Sequence, residues 1–364
     1  MTETNETNSI LGDVVFLFGA GASYGADSGQ VSPERPPLMR EVYTRLAKRF
    51  PSRWGASSDR ARSASDYTKD FEKTFTVIDL KRHPDRPPGV QGAPGSLAIE
   101  AQRPLAIYFS ELRLDTSESD LYSRLLRFLK QSEIIESSFF STLNYDCLFE
   151  QAVCHQRLGL DYLMNPARQQ LRATAGDDWP GRRMQDVQVY LAKLHGSCNF
   201  AMPQTEVEFF RVHASMPGGY VGTGIDTLGA FPQLPHNETD IWPIMTQTSP
   251  DRDDFAGGTL LTQFRNIWGM AARQAKLLVI IGAAAREYDR HVWDPIKAAS
   301  GDVVYIGLES DLAGWRRCNP GVRLLSEDFQ AGFRRLLRLL ARNKKQRGGT
   351  ACGYLKDLLR ACWF

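Results

Sequence analysis

The stretch Asp13-Val-Val-Phe-Leu-Phe-Gly-Ala-Gly-Ala-Ser23 constrains the fold more than any other part of the chain. Val14 to Phe18 form a continuous apolar run, which is typical of a strand buried on both faces of a parallel sheet. The run ends at Gly19-Ala20-Gly21, where glycines allow a tight turn and a close approach of a ligand to the backbone. A helix that begins near Ala22 or Ser23 would direct its free N–H groups at an anion such as pyrophosphate. The spacing is shorter than the full G-x-G-x-x-G, so a strand that ends in a glycine turn without a ligand is the alternative.

Composition limits the class of protein. With 364 residues, 42% hydrophobic and 24% charged, the chain can form one large α/β domain with insertions, or two domains. A net charge of +2 predicts no direct nucleic-acid binding, and the basic stretch 334–347 is predicted to be an amphipathic helix with a solvated basic face. No apolar run approaches the roughly 20 residues needed to span a bilayer. The polar residues 1–8 do not resemble a signal peptide, so we expect a cytoplasmic protein.

Further apolar runs end in glycine or polar residues, as the first one does. Carboxyl ends of parallel strands meet at one edge of a sheet, where ligands bind in open α/β folds. We therefore predict a Rossmann-like doubly wound parallel sheet with one crevice at this edge. The predicted later strands are Ser138–Leu143, Val187–Leu194, Lys276–Ala283, Asp302–Gly307 and Val322–Leu325.

Helical periodicity and loop composition suggest how the chain is divided. Residues 1–50 and 135–345 are predicted to form a discontinuous Rossmann domain, interrupted by a helical insertion at 51–134 and an irregular insertion near the site at 200–255. Residues 346–364 are predicted to form an interface, because their last residues are apolar. The predicted helices are Met39–Phe50, Tyr67–Leu80, Leu97–Leu114, Leu121–Lys130, one through Phe149 and Val153, Leu260–Ala275, Arg286–Ala299 and Glu327–Arg342.

Three segments together resemble the signatures of the sirtuin (Sir2-like) family, in the family's order. They are Gly19-Ala-Gly-Ala-Ser23, Thr142-Leu-Asn-Tyr-Asp146 and Lys193-Leu-His-Gly-Ser197. The resemblance implies that the glycine turn binds NAD⁺ and that the Asn and Asp lie around the nicotinamide ribose. It also implies that the His is the catalytic base.

The residue roles follow from this resemblance. The implied catalytic residues are Asn144, His195 and Asp146. The implied cofactor-binding residues lie in the three signatures and in Gly282-Ala-Ala-Ala285 with Asp289 beyond it, which stand where the family carries Gly-Thr-Ser; they are Gly19, Ala20, Gly21, Ser23, Thr142, Gly196, Gly282 and Asp289.

The chain departs from the protein deacylases of the family. None of its six cysteines forms a C-x-x-C pair, so we predict no zinc site and no other metal. Pro36-Pro-Leu-Met-Arg40 stands near the place of the family's Pro-Asp-Phe-Arg segment. These features resemble the zinc-less Sir2-like proteins of bacterial anti-phage defence. That branch implies NAD⁺ depletion, a homo-oligomer, and activation by a helicase-like ATPase or an Argonaute-type protein.

The implied chemistry suits the side chains. Cleavage of the nicotinamide–ribose bond passes through an oxocarbenium-like state, which an ionised Asp146 would favour. Asn144 can bind a ribose hydroxyl or the incoming water, and His195 can accept a proton because an imidazole ordinarily titrates at a pKa of about 6.5. Structural roles remain as alternatives. Asp146 could cap the following helix, Asn144 could fix its own turn, and His195 could be a hydrogen-bonded core residue. Asp289 could be a solvated helix start, and His291 is interpreted as structural.

Three activities remain open at this stage. A glycohydrolase would convert NAD⁺ and water to nicotinamide and ADP-ribose without a second substrate. A protein-lysine deacylase would release nicotinamide only with an acyl-peptide, and the missing zinc cysteines argue against it. A non-catalytic sensor would bind NAD⁺ or ADP-ribose and form no product.

Overall fold

The computed structural model describes residues 12–26, 31–51, 104–115, 117–163, 187–203, 221–222, 241–245 and 258–346. The predicted helix Tyr67–Leu80 and the predicted interface at 346–364 lie outside these ranges, apart from residue 346. Among the helices within them, none is long and apolar enough to cross a bilayer.

The strands are short and, in the centre of the molecule, fully buried. In chain order they are β1 (Val14–Phe18), β2 (Val31–Ser32), β3 (Arg113–Leu114), β4 (Ser138–Thr142), β5 (Gly159–Asp161), β6 (Val187–Lys193), β7 (Gly196–Pro203), β8 (Val221–Gly222), β9 (Ile241–Met245), β10 (Leu277–Ile281), β11 (Asp302–Ile306) and β12 (Arg323–Ser326).

The helices follow the strands and cover the sheet. In chain order they are α1 (Ala20–Ala26), α2 (Met39–Arg49), α3 (104–110), α4 (Leu121–Gln131), α5 (Leu148–His155), α6 (Gly258–Gln274), α7 (Arg290–Lys297), α8 (Glu309–Cys318) and α9 (Phe329–Gln346), with a 3₁₀ turn at Ile135–Ser137.

A seven-stranded sheet forms the centre of the fold, in the order β12-β11-β10-β1-β4-β6-β5. Every neighbouring pair in it is parallel. Strand β1 lies in the middle and pairs with β4 on one side and β10 on the other, so the strand order reverses there. This topology confirms the predicted Rossmann-like doubly wound sheet and places the switch point at the end of β1.

Aromatic packing explains why β1 and β4 are buried on both faces. The rings of Phe16 and Phe140 stack at 5.1 Å, and Phe149 of α5 packs against both Phe18 and Phe140. Helix α5 forms because Leu148, Phe149, Ala152 and Val153 present one apolar side to this cluster.

The structure corrects several predicted elements. Arg113–Leu114, predicted to end a helix, form a strand that pairs antiparallel with Val31–Ser32. The described parts of 200–255 are not irregular, because β7 pairs antiparallel with β8 and β9. Strand β5 and helix α8 were not predicted. Helix α7 begins at Arg290 rather than Arg286, because the turn after β10 continues through Asp289.

Candidate active site

The Asn144 amide joins two of the three signature segments. Its Nδ2 donates to the backbone oxygen of Gly19 at 3.0 Å and to the Ser23 hydroxyl at 2.9 Å. A carbonyl oxygen can only accept, so the nitrogen must face Gly19, and this fixes the orientation of the amide. Both amide hydrogens are therefore used within the protein. The acceptor Oδ1 is left as the group that can bind an incoming hydroxyl.

The Ser23 hydroxyl is the hub of a buried network. It donates to Asp146 Oδ1 at 3.3 Å, accepts from Asn144, and lies 3.1 Å from the Tyr122 hydroxyl. Burial raises the pKa of Tyr122, so its hydroxyl stays protonated and can donate. A serine hydroxyl offers one donor and two acceptor positions, and all three are filled here. Ser23 therefore orients Asn144 and Asp146 through its side chain.

Asp146 lies two residues before the first residue of α5 and is buried. Its Oδ1 accepts from the N–H of that first residue, Leu148, at 3.1 Å, which is a form of the capping role weighed as the alternative. Burial raises the pKa of the Asp146 carboxyl, against the opposing effect of the Lys193 ammonium. The raised pKa means that its charge is held in a poorly solvated environment, where a charge acts more strongly on its neighbours.

A buried ion pair contacts the turn that carries Asp146. Lys193 Nζ donates to Glu150 Oε1 at 2.8 Å and to the Asp146 backbone oxygen at 2.5 Å. The side chains are 0% and 1% exposed. Lys193 is the last residue of β6 and Glu150 lies in the first turn of α5. The pair therefore ties the third signature segment to the second.

His195 lies just beyond the end of β6 and contacts a residue from the other side of the switch point. Its Nε2 is 3.1 Å from the Nε2 of His291, and the rings meet edge to face at a centroid distance of 5.2 Å. A ligand atom of Asp289 completes the group, in which all three ligand atoms lie within 4.8 Å of one another. We call His195, Asp289 and His291 the His–Asp–His cluster.

The cluster spans the crevice at the carboxyl edge. His195 follows β6, whereas Asp289 and His291 follow β10, and strands β4 and β1 lie between them. Three strand spacings of about 4.8 Å each make roughly 14 Å, which the loops and side chains bridge. The cluster therefore lies across the ends of the strands that carry Asn144 and Gly19.

Helix α6 holds both halves of the cluster in place. Arg265 Nε donates to the Leu194 oxygen at 3.2 Å, and Trp268 Nε1 donates to the His291 oxygen at 3.0 Å. The two donors are three residues apart and share one face of the helix. One helix therefore holds the backbone beside His195 and the backbone at His291.

The glycines of the first turn are required by packing. A Cβ on Gly19 would lie 2.4 Å from the Cα of Ala283, and one on Gly21 would lie 2.8 Å from the Cα of Gly282. Gly282 itself has φ +62°, and its Cβ would meet the Ala22 nitrogen at 2.2 Å. The Gly21 N–H donates to the Gly282 oxygen at 2.9 Å. The turns after β1 and β10 are therefore packed backbone to backbone at the switch point.

The remaining predicted residues lie at the same edge. Thr142 ends β4, where its hydroxyl donates to the Phe18 oxygen at 3.3 Å and accepts from the Asn144 N–H at 3.0 Å. Ala20 begins α1 and is partly exposed. Gly196 has φ +80° and begins β7 opposite Met245, so it turns the chain out of the parallel sheet.

Sequence reasoning missed two parts of the site. Lys193 and Glu150 were not identified, and a lysine at the end of an apolar strand is only a weak signal of a buried pair, because its long side chain usually reaches solvent. His291 was interpreted as structural. The pattern Asp289-Arg-His291 at a helix start was the available signal for it.

Comparison with known proteins finds similar backbone folds among solved structures. No protein-family model matches the sequence, and no curated protein matches it. Similar solved structures include Sir2 in complex with the inhibitor EX-527, 2′-O-acetyl-ADP-ribose and a deacetylated p53 peptide, at 12% identity and a TM-score of 0.40, covering 96% of this chain and 99% of that one. A structure on the basis of sirtuin substrate affinity aligns at 12% identity and a TM-score of 0.38, covering 94% and 98%. At this identity and these TM-scores the similarity gives no information about the activity or the ligands of this chain. The description of its architecture is based on its own strand order.

Proposed function

We propose that this chain is a Sir2-like NAD⁺ glycohydrolase, which converts NAD⁺ and water to nicotinamide, ADP-ribose and a proton. One observation carries the proposal. The three segments that resemble the sirtuin signatures meet at the carboxyl edge of the sheet, with the Asn144 amide hydrogen-bonded to the glycine-turn segment. In a doubly wound sheet this edge is where a dinucleotide binds.

The side chains support a simple division of labour. The bond between the nicotinamide nitrogen and ribose C1′ breaks, and its electron pair neutralises the positive ring nitrogen of the leaving nicotinamide. Water forms the new bond to C1′ and loses a proton. The Asn144 Oδ1 accepts a hydrogen bond from a ribose hydroxyl or from this water, and the His195 imidazole is the base that receives the proton, with His291 as its neighbour.

The turn that carries Asn144 is held rigid from several sides. Ser23, Thr142 and the Lys193–Glu150 pair each contact it or the residues beside it. Fixed groups cost little reorganisation when charge develops on the ribose. The buried Asp146 carboxylate, when ionised, would favour the developing cation, and this adds a catalytic role to its capping role.

The biological setting is part of the proposal and derives from the motif resemblance alone. The missing C-x-x-C pairs favour the zinc-less defence branch of the family, with NAD⁺ depletion as the outcome. A homo-oligomer in the cytoplasm, activated by a helicase-like ATPase or an Argonaute-type protein, completes this proposal.

Product analysis tests the activity directly. Purified protein is incubated with NAD⁺, with and without an acyl-lysine peptide, and nicotinamide and ADP-ribose are followed by chromatography. We expect both products without peptide. Nicotinamide release only with peptide would indicate a deacylase. Tight NAD⁺ binding by calorimetry without any product would favour the sensor.

Matched substitutions test the residue roles. Asn144→Ala and His195→Ala should each lower kcat at least about 100-fold, which is the usual contribution of a positioned acid–base group. Asn319→Ala and His155→Ala are the controls. Each of these residues lies at the end of a helix or just after it, before the amino end of the strand that follows, whereas the proposed site lies at the carboxyl ends of the strands. Full turnover by either active-site variant would refute the assignment.

A further inference from the structure

We propose that His195, Asp289 and His291 form a binding site for a divalent transition-metal ion, with Zn²⁺ as the first candidate. Two imidazole nitrogens and a carboxylate oxygen form one of the ligand sets that zinc uses in open, three-residue sites. The set differs from the C-x-x-C zinc ribbon, whose motif the chain lacks.

The distance between the imidazoles suits a shared ion. Zinc binds imidazole nitrogen at about 2.0–2.1 Å, so two such ligands at a tetrahedral centre lie about 3.3–3.4 Å apart. The Nε2 atoms of His195 and His291 are 3.1 Å apart, which requires an adjustment of only a few tenths of an ångström. The ligand atom of Asp289 lies within 4.8 Å of both, so a small side-chain rotation brings it to the ion.

The surroundings favour a built site over a chance meeting of side chains. His195 and Asp289 are each 5% exposed, so an ion there would be largely removed from water. Helix α6 fixes the Leu194 oxygen beside His195 and the His291 oxygen through Arg265 and Trp268. These bonds fix the backbone that carries the two imidazoles, which helps to keep a site in a productive geometry.

Three protein ligands leave one coordination position for water or for a ligand in the crevice. Occupation of the cluster would also commit the His195 Nε2 to the metal. If His195 is the base of the proposed glycohydrolase, Zn²⁺ therefore inhibits NAD⁺ cleavage, and EDTA restores it. This consequence rests on the proposed function, whereas metal binding itself does not.

Two measurements that need no turnover test the site. Protein treated with EDTA and dialysed is titrated with ZnCl₂ by calorimetry. In parallel it is titrated with CoCl₂, whose visible absorption reports tetrahedral coordination. We expect one ion per chain, at least tenfold weaker binding in Asp289→Asn and His291→Ala, and wild-type binding in His155→Ala.

The outcomes separate this site from the proposed function. Equal zinc affinity and an equal cobalt spectrum in wild type, Asp289→Asn and His291→Ala would overturn the metal site. NAD⁺ cleavage by wild type with no zinc binding would overturn the site and leave the glycohydrolase. Zinc binding by the wild type that is lost in both variants supports the site, even if no NAD⁺ is cleaved. Circular dichroism of each variant excludes loss of fold as the cause.

Discussion

Replacing Lys193 by methionine tests the ion pair beneath the site. The change leaves the Glu150 carboxylate buried at 1% exposure without its cation, and the Asp146 oxygen without its donor. Removing one partner of a buried pair costs about 3–5 kcal/mol. Domains are usually stable by about 5–15 kcal/mol, so the variant should fold but with much of its stability lost. With a urea m-value of about 3 kcal/mol/M, the unfolding midpoint should fall by about 1–1.7 M.

A double variant separates the cost of the unpaired buried carboxylate from general damage to the core. Adding Glu150→Met to Lys193→Met removes the unpaired carboxylate and should recover most of the loss, because apolar replacement of a whole buried pair is often neutral. Arg323→Ala is the control, since its pair with Asp302 is 59% and 64% exposed and should contribute at most about 1 kcal/mol. Tryptophan fluorescence in urea measures all variants. A wild-type midpoint in Lys193→Met, or a double variant no more stable than the single, would refute the reasoning.

The pH dependence of this pair has a definite sign. Burial lowers the pKa of Lys193, but the field of Glu150 and its neighbours outweighs it, so the net pKa lies above the ordinary value of about 10.4. A raised lysine pKa means that the folded state binds the proton more tightly. The contribution of the pair to the free energy of unfolding is therefore complete at neutral pH, and it is lost as the pH rises through the folded-state pKa.

Two substitutions and one labelling experiment probe the site and the segments around it. Asp146→Asn keeps an acceptor for the Leu148 N–H and removes a buried charge, so the unfolding midpoint at pH 7 should not fall while kcat drops at least about tenfold; an unchanged kcat would leave only the capping role. Gly282→Ala should lower Tm in differential scanning fluorimetry by several degrees, since φ is +62° and the added Cβ meets backbone at 2.2 Å; an unchanged Tm would contradict this. Cys147 and Cys198 are buried 3.7 Å apart, and burial raises the pKa of Cys147, so peptide mapping should find both alkylated by iodoacetamide only after unfolding, not in the native protein.

The sheet was predictable because its signals are local. The run Val14–Phe18 is apolar at every position, and such runs are found as strands buried on both faces. Strand β5 lies at the edge of the sheet and has only three residues, Gly159–Asp161. So short a segment shows no recognisable pattern of apolar residues in the sequence. Helix α8 contains Gly314 in its centre, and its buried apolar side chains are limited to Leu312, Trp315 and Cys318, so its helical signal is short.

The polar contacts of the site depend on which distant segments meet. Asn144 and His195 could be proposed from strand ends, because parallel strands all end at one edge. The partner of His195 could not, since His291 lies 96 residues away and reaches it only over the ends of β4 and β1. The Lys193–Glu150 pair was missed for a related reason. A lysine at a strand end usually reaches solvent, and here α5 covers it.

The glycines of the first turn and the Asn144 amide do not carry equal weight as signs of function. Gly19, Gly21 and Gly282 must lack a Cβ because the turns after β1 and β10 pack against each other, whatever ligand the crevice holds. Packing gives no comparable reason for Asn144. An aspartate there would place a carboxylate against the Gly19 oxygen, and a leucine would remove one donor from that oxygen, which keeps the Ala22 N–H, and one from the Ser23 hydroxyl. An amide satisfies both neighbours through its nitrogen and still presents an oxygen, so Asn144 and His195 support the proposed NAD⁺ chemistry more than the glycine motif does.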